Sequence, residues 1–127
     1  MARDPIERWH DIARARDPAR LKGLLAEDVV FLSPVVHTPQ RGKAITTKYL
    51  AAALAVLGGP DFCYVGRWNG ERSAVLEFMT AIDGVEVNGV DIIGWNAEGF
   101  IDSFKVMLRP LKAIEAVRQK MAAALTA

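Results

Sequence analysis

The spacing of apolar residues changes near the middle of the chain, from a helical period to alternation. In the first half, apolar side chains recur every three or four positions over residues 6–16 and 43–57, which predicts two helices. Between them, Asp17-Pro18 predicts the start of a short helix, because Asp can cap a helix and Pro suits the first turn. Residues 29–33 predict one strand, since they are β-branched and aromatic, and residues 33–42 predict a loop. The short helix is expected to bury Leu21, Leu24 and Leu25.

The second half contains four alternating runs separated by sequences typical of tight turns. The turns are Asn69-Gly70, Asp83-Gly84 and residues 96–99, whose Asn, Asp and Gly tolerate a positive φ. Four strands joined in this way predict an antiparallel meander over residues 62–68, 73–82, 85–95 and 100–108. Pro110 then opens a last helix, whose apolar side consists of Leu111, Ile114, Val117 (or Arg118), Met121 and Leu125. Helices first and strands second predict an α+β fold with helices covering one face of the sheet.

Composition narrows the class of protein. With 127 residues, of which 51% are hydrophobic, the chain predicts a single domain over residues 1–127 whose core needs no disulfide or metal. Cys63 is the single cysteine, so no disulfide can form within the chain. The net charge of +1 argues against a nucleic-acid or anionic-membrane partner. Because residues 1–10 are polar and no apolar run approaches ~18 residues, we expect a cytoplasmic protein with no membrane partner, cofactor or metal.

Three segments carry a family resemblance. In the first, a short strand leads to a Gly and a helix, in the sequence LLAEDVVFLSPVVHTPQRGKAI. The second is an apolar strand with one Asp followed by a hairpin, VNGVDIIGWNAEGFI. The third leads into the last helix and reads KVMLRPLKAI. With the order of the elements, they resemble the NTF2-like superfamily, in the branch of SnoaL-like proteins and ketosteroid isomerases. The resemblance implies a cone of N-terminal helices packed on a curved antiparallel sheet, with an apolar pocket between them. Function does not follow from such a likeness, because one fold hosts many activities.

Of the three catalytic residues of ketosteroid isomerases, this chain has one and differs at two. Ketosteroid isomerases use an Asp base after the first strand, and Ser33 occupies that position here. They use a Tyr on the first helix as an oxyanion donor, and the alignment places Trp9 there. Their protonated Asp on the penultimate strand corresponds to Asp91, which is retained. Isomerase chemistry of that kind is therefore not expected.

Asp91 is also singled out by its own surroundings. It shares a strand face with Val87, Ile93 and Trp95, and that face is otherwise apolar. A carboxyl group among apolar side chains should have a raised pKa, which suits a neutral hydrogen-bond donor or a general acid. Alternatively, Asp91 only bonds a neighbouring side chain or a buried water.

A second carboxyl group could join it, depending on one turn. If Asp83-Gly84 is a strict two-residue turn, Leu76 lies opposite Asp91 and Glu77 points to the other face. A bulge or a three-residue turn would instead bring Glu77 to the face of Asp91, where the two carboxyl groups would share a proton. The strict turn is the preferred prediction.

The remaining candidates are a loop histidine and an aromatic lining. His37 lies where this fold has its pocket mouth and could act as a base, although an ordinary exposed histidine is the alternative; His10 is interpreted as a surface residue. We expect the ligand-binding residues to be Trp9, Ser33, Phe62, Tyr64, Trp95, Phe104 and Val106, although most of the aromatic residues could equally be plain core.

Three functions remain open. The leading hypothesis is a pocket protein that binds a small apolar or mixed-polarity molecule, with Asp91 as polar anchor. The second is an isomerase, cyclase or hydrolase with Asp91 as general acid and His37 as a possible base. The third is a non-catalytic dimerisation or partner-binding module. A homodimer is expected in any case, because Val90, Ile92 and Met107 would leave apolar surface on the outer face of the sheet.

Overall fold

The computed structural model describes residues 4–126 as an α+β fold with one sheet, which confirms the predicted class. Three α-helices are present in this range: α1 (Pro5–Ala15), α2 (Lys43–Leu57) and α3 (Leu111–Thr126). A 3-10 helix follows α1 at Pro18–Gly23. The six strands are β1 (Leu25–Leu32), β2 (Gln40–Arg41), β3 (Cys63–Asn69), β4 (Ser73–Ile82), β5 (Val85–Trp95) and β6 (Ile101–Arg109). Their spatial order is β2-β1-β6-β5-β4-β3, with β3 to β6 forming the predicted meander.

The turn between β4 and β5 fixes which side chains face inward. Asp83 and Gly84 have φ values of 50° and 80°, as a tight two-residue hairpin turn requires, and Ile82 pairs with Val85. In this register Leu76 lies opposite Asp91. The strict turn is confirmed, and Glu77 lies on the outer face, where it accepts a hydrogen bond from Asn88 at 3.0 Å.

The inner face of the sheet is covered in two parts. At one end α1, the 3-10 helix and α2 close over β1 and β4 to β6 in the main apolar core. At the other end Val117 and Met121 of α3 pack with Ile82 and Val87 in a second cluster. Gly89 lies on this face, and there is no room for a side chain there, because a Cβ would come within 2.6 Å of side-chain carbons of Phe78 and Leu108. A glycine in mid-strand therefore lets two large apolar side chains close over the sheet beside Asp91.

The segment after α1 differs from the prediction. Asp17 precedes the 3-10 helix without a capping hydrogen bond from its side chain, and the helix ends at Gly23. Leu25 is buried as expected, but as the first residue of β1, which therefore starts four residues before the predicted residue 29. The pairing of β1 with β6 is irregular, and two consecutive residues of β1 are exposed. The alternation of buried and exposed residues is therefore interrupted, and the sequence pattern does not indicate the start of the strand. The predicted loop also contains the two-residue strand β2.

The apolar side of the last helix is also shifted. Val117 and Met121 are buried as predicted, but Leu111 is 81% exposed and Ala113 is fully buried in its place. Leu111 is the first residue of α3, directly after Pro110, and lies at the helix end rather than over the sheet. Strands β3 and β6 begin and end one residue later than predicted.

Candidate functional site

A narrow pocket lies between the helices and the inner face of the sheet. It has a volume of about 50 Å³. An engineered cavity of about 150 Å³ holds benzene, so this pocket in its present shape has room for a few waters or a narrow group. Its lining is apolar apart from the polar groups of Trp9, Tyr64 and Asp91. The lining residues are Trp9, Ala13, Leu50, Ala53, Leu54, Leu57, Gly58, Phe62, Tyr64, Phe78, Asp91, Phe104 and Val106.

A chain of two hydrogen bonds crosses the wall of the pocket. The amphipathic helix α1 buries Ile6, Trp9 and Ile12 on one side, which directs the Trp9 indole toward the sheet. Trp9 Nε1 donates to the Tyr64 hydroxyl oxygen at 2.9 Å, and the Tyr64 hydroxyl donates to Asp91 Oδ2 at 2.8 Å. The direction is fixed because an indole nitrogen can only donate. Tyr64 therefore uses its single hydrogen on Asp91.

Burial makes Asp91 a weak acid. Asp91 is only 6% exposed. Desolvation raises the pKa of its carboxyl group from 3.8 to about 7, and the hydrogen bond from Tyr64 lowers it by a smaller amount. Desolvation, followed by the neighbouring Asp91 charge, raises the pKa of Tyr64 well above 10, so the phenol keeps its hydrogen. Among the described residues, no hydrogen bond reaches Asp91 Oδ1. When Asp91 is protonated, the proton is therefore available on Oδ1 for a group in the pocket.

The structure brings together six of the nine predicted site residues. They are Trp9, Phe62, Tyr64, Asp91, Phe104 and Val106. The rings of Trp9 and Phe104 meet edge to face at 4.9 Å, and Phe62 stacks on Phe78 at 5.1 Å. The register of β5 and β6 places Asp91 beside Val106, and hydrogen bonds bring Tyr64 of β3 and Trp9 of α1 to the same place.

The other three predicted residues lie outside the pocket. His37 is exposed in the loop between β1 and β2, so the structure does not bring it to Asp91 as a base. Ser33 also lies outside, and its Oγ accepts a hydrogen bond from the Val35 amide at 3.1 Å within the same loop. Trp95 packs against the core at the end of β5, beyond a register shift after Gly94, and is not part of the pocket lining.

Several lining residues were missed from the sequence. Most of them lie on α2, which contributes Leu50, Ala53, Leu54 and Leu57. The signal was the run of apolar residues on every side of that helix, more than one buried face requires. His10 is also not a plain surface residue: it is half-buried, with its ring 4.9 Å from that of Tyr64.

The described residues contain neither a cluster of metal ligands nor a helix that could span a membrane. Within residues 4–126, no three His, Cys, Asp or Glu side chains come close enough to hold a metal ion. No helix in the same range is long and apolar enough to span a membrane.

Comparison with known proteins decides the family. The model of the SnoaL-like domain matches residues 6–104, which is more than half of the chain. The protein belongs to the SnoaL-like domain family. The match covers α1, α2 and the sheet as far as Phe104, and so includes the pocket wall around Asp91. No curated protein matches the chain of this SnoaL-like protein.

Solved structures agree with that assignment. A steroid delta-isomerase from Pseudomonas aeruginosa is 33% identical, with a TM-score of 0.91 over 96% of this chain and 89% of the other. An uncharacterised protein with a cystatin-like fold from Silicibacter pomeroyi is 29% identical, with a TM-score of 0.86 over 94% and 83%. An NTF2-like protein of unknown function from Mesorhizobium loti is 20% identical and shows the fold alone, with a TM-score of 0.72 over 84% and 88%.

The hydrogen-bond chain of this SnoaL-like protein makes a direct prediction for Tyr64→Phe. The change removes the only described donor to Asp91, so the pKa of Asp91 should rise from its value of about 7. It also leaves the indole N–H of Trp9 buried without an acceptor, at a cost of about 1–3 kcal/mol in unfolding free energy. Chemical denaturation and carboxyl NMR measure the two effects.

Tyr49→Phe is the matched control, because no hydrogen bond of the Tyr49 hydroxyl is described within residues 4–126 and its ring contact with Phe31 is kept. It should change stability by less than about 0.5 kcal/mol. Equal effects of the two substitutions would contradict the hydrogen-bond chain.

Proposed function

We propose that this SnoaL-like protein binds a small, largely apolar molecule through a neutral Asp91 that donates a hydrogen bond to an acceptor oxygen. The observation that carries the proposal is the free Oδ1 of a buried, weakly acidic carboxyl group in an otherwise apolar pocket. An apolar wall contributes affinity, and a single polar group fixes orientation. A carbonyl or ether oxygen fits such a donor, because it accepts a hydrogen bond without bringing a charge into the pocket.

The pocket volume limits how such a molecule sits. With about 50 Å³ available, only a narrow part of the ligand enters without movement of the wall. Phe62 lies at the exposed side of the pocket, is half-buried and has no side-chain hydrogen bond to break, so it is the part of the wall that can move outward, whereas Tyr64 is held by Trp9 and Asp91. Phe104 and Val106 are buried in the sheet and form the fixed side.

A second candidate function is acid catalysis, with Asp91 delivering its proton to the ligand oxygen. The 33% identity to a steroid delta-isomerase and the pKa of about 7 support it. Proton transfer of that kind also needs a base. The described pocket lining contains no titratable side chain besides Asp91 and Tyr64, and the pKa of Tyr64 is too high for the task. Binding is therefore the better supported function.

A ketone probe separates the donor role from simple apolar binding. We expect cyclopentanone to bind the wild-type protein below pH 7 and to lose about fivefold or more in affinity as Asp91 ionises above pH 7. Cyclopentane, which accepts no hydrogen bond, should show no such dependence. Amide chemical-shift titrations with both probes from pH 5 to 9 measure this.

Two variants complete the test. Asp91→Asn keeps a donor and cannot ionise, so its cyclopentanone affinity should remain flat across the pH range. Asp91→Leu has no donor and should bind cyclopentane but not prefer the ketone at any pH. A wild-type affinity for cyclopentanone that does not change with pH would sink the proposal. If Asp91→Asn binds a substrate but does not convert it, the catalytic candidate gains support, because an amide cannot deliver a proton.

We also propose that two copies associate through the outer face of the sheet. Trp68 and Met107 are 58% and 55% exposed there, and Val90 and Ile92 are half-buried between them. Ile92→Lys should give a monomer in sedimentation at micromolar concentration, whereas the wild type sediments as a dimer. Leu111→Lys is the control, since Leu111 is 81% exposed on α3, away from this face. A monomeric wild type would rule the dimer out.

A further inference from the structure

A second and wider space borders the pocket. We call it the vestibule, and its volume is about 440 Å³. It shares four lining residues with the pocket, so a molecule in one space contacts the wall of the other: Ala13, Gly58, Phe62 and Tyr64. The remaining lining residues of the vestibule are His10, Arg14, Arg16, Gly59 and Cys63.

The vestibule differs from the pocket in its charge. Its lining has three basic side chains, His10, Arg14 and Arg16, and among the described residues no carboxylate. Arg14 is already paired with Asp11 on the same helix, at 2.5 Å. Arg16 takes part in no described ion pair or side-chain hydrogen bond. The guanidinium of Arg16 is therefore a cation at the rim of an apolar pocket, with its donors available.

The chain ends α1 in a way that places Arg16 there. Arg16 adopts a left-handed conformation, with φ 50° and ψ 47°, and its backbone N–H closes the helix against Ala13 and Ile12 carbonyls. Its Nε lies 3.9 Å from the position that a Cβ of Gly58 would occupy. A Cβ at Gly58 would itself come within 2.5 Å of the Leu54 carbonyl oxygen. The close approach of the Leu54 carbonyl therefore favours a glycine here, and Gly58 lines both the pocket and the vestibule beside the guanidinium.

Near neutral pH the positive charge of this lining comes from Arg14 and Arg16 rather than from His10. Burial lowers the pKa of His10, and the charges of Arg67 and Arg14 lower it further, against opposing effects of Asp11 and Asp4. Asp4 is in turn paired with Arg67 at 3.1 Å. Asp11 and Asp4 are therefore each paired with another arginine, and neither has a described contact with Arg16, whose guanidinium is left to meet an anion.

We propose that the vestibule binds the anionic group of an amphiphilic organic anion, such as a carboxylate, whose uncharged end enters the pocket. This inference rests on the proposed pocket function and adds the chemical class of its ligand. A guanidinium pairs with a carboxylate through two parallel hydrogen bonds, which suits Arg16. The hydrocarbon part of the ligand lies along Ala13 and Phe62, the apolar residues that both spaces share.

Three probes with the same alkyl chain and different head groups test the charge preference. We expect octanoate to bind about three- to tenfold more tightly than octanol, and octylammonium to bind less tightly than octanol, in calorimetric titrations at pH 7. Arg16→Gln should remove the preference for octanoate and leave the affinity for octanol unchanged. Arg41→Gln is the matched control, because Arg41 is an exposed arginine on β2, at the opposite edge of the sheet from β3, and it should bind as the wild type does.

The single cysteine reports where the probe lies. Cys63 is exposed and lines the vestibule, so saturating octanoate should slow its alkylation by iodoacetamide several-fold in the wild type. Octanol binding without a preference for octanoate, or a preference that survives Arg16→Gln, would overturn the vestibule proposal and leave the pocket function standing. Failure of all three probes to bind, with cyclopentanone still bound, would overturn the vestibule proposal alone, and failure of cyclopentanone as well would overturn both. Octanoate binding that leaves Cys63 equally reactive would place the anion elsewhere and also overturn the proposal.

Discussion

Replacing Asp91 by Asn is expected to stabilise the protein above pH 7 and to remove much of its dependence on pH. In the wild type, folding raises the pKa of Asp91 from 3.8 to about 7 because the carboxyl group is buried. The folded protein therefore holds this proton more tightly than the unfolded chain does. The contribution of Asp91 to stability is complete below pH 3.8 and is lost as the pH rises through about 7.

The expected change in unfolding free energy is large for a single side chain. The difference between 3.8 and about 7 corresponds to about 4 kcal/mol, at about 1.4 kcal/mol for each pKa unit. Asn has no such titration, and it can still accept the hydrogen bond from Tyr64. The unfolding free energy of Asp91→Asn relative to the wild type should therefore rise by about 4 kcal/mol between pH 4 and pH 8.

Urea denaturation of both proteins at several pH values measures the difference. Subtracting the wild-type unfolding free energy from that of Asp91→Asn at each pH cancels the contributions of the other titrating groups. His10 is one of these, because its lowered pKa makes stability rise with pH in both proteins. A difference that is constant from pH 4 to pH 8 would mean that Asp91 has the same pKa in the folded and unfolded chain, and that burial does not raise it.

Phe104→Ala has the other large expected effect. Phe104 is 1% exposed, contacts Trp9 edge to face and lies 6.0 Å from the ring of Phe31. Removing a buried ring costs about 3–5 kcal/mol in unfolding free energy, because its apolar contacts are lost and a cavity is left. The control is Phe100→Ala: Phe100 is 40% exposed beside β6, and its loss should cost less than about 1 kcal/mol.

The same variant tests whether the site is a true pocket. Deleting a ring from the wall of a space of about 50 Å³ should bring it toward the size of about 150 Å³ that accommodates benzene. Benzene should then raise the melting temperature of Phe104→Ala and leave the wild type nearly unchanged, because only the folded, enlarged pocket binds it. A variant that loses 3 kcal/mol or more but gains nothing from benzene would mean that the wall collapses into the space.

Much of the fold could be predicted from local sequence, and the meander shows why. The Asp83-Gly84 turn fixes the register of β4 and β5, and with it the burial of Asp91, because side chains alternate strictly along a strand. The same rule fails where the alternation is interrupted. Because β1 is irregular, its first residues could not be predicted as strand from the sequence pattern. Because of the bulge between Tyr64 and Gly66, the pattern also does not predict which face each side chain of β3 lies on.

The candidate site could be predicted only in part, because it is built from distant segments. Asp91 was predicted from its own strand, as an acid on an apolar face. Its partnership with Tyr64 joins residues 27 positions apart, and that of Trp9 with Tyr64 joins residues 55 apart, so neither follows from local pattern. His37 was proposed from its place in the loop after β1, but the sequence gives no means of knowing that this loop leaves it exposed.

Carbon-13 NMR of the Asp91 side-chain carboxyl measures whether this group is protonated in the pocket near neutral pH. Assignment of the signal by comparison with Asp91→Asn gives the titration curve of this one group. We expect a midpoint near 7 in the wild type and a higher one in Tyr64→Phe. A midpoint at or below the ~3.9 of a free Asp would mean an ionised residue, and both the neutral-donor and the general-acid roles would then be wrong.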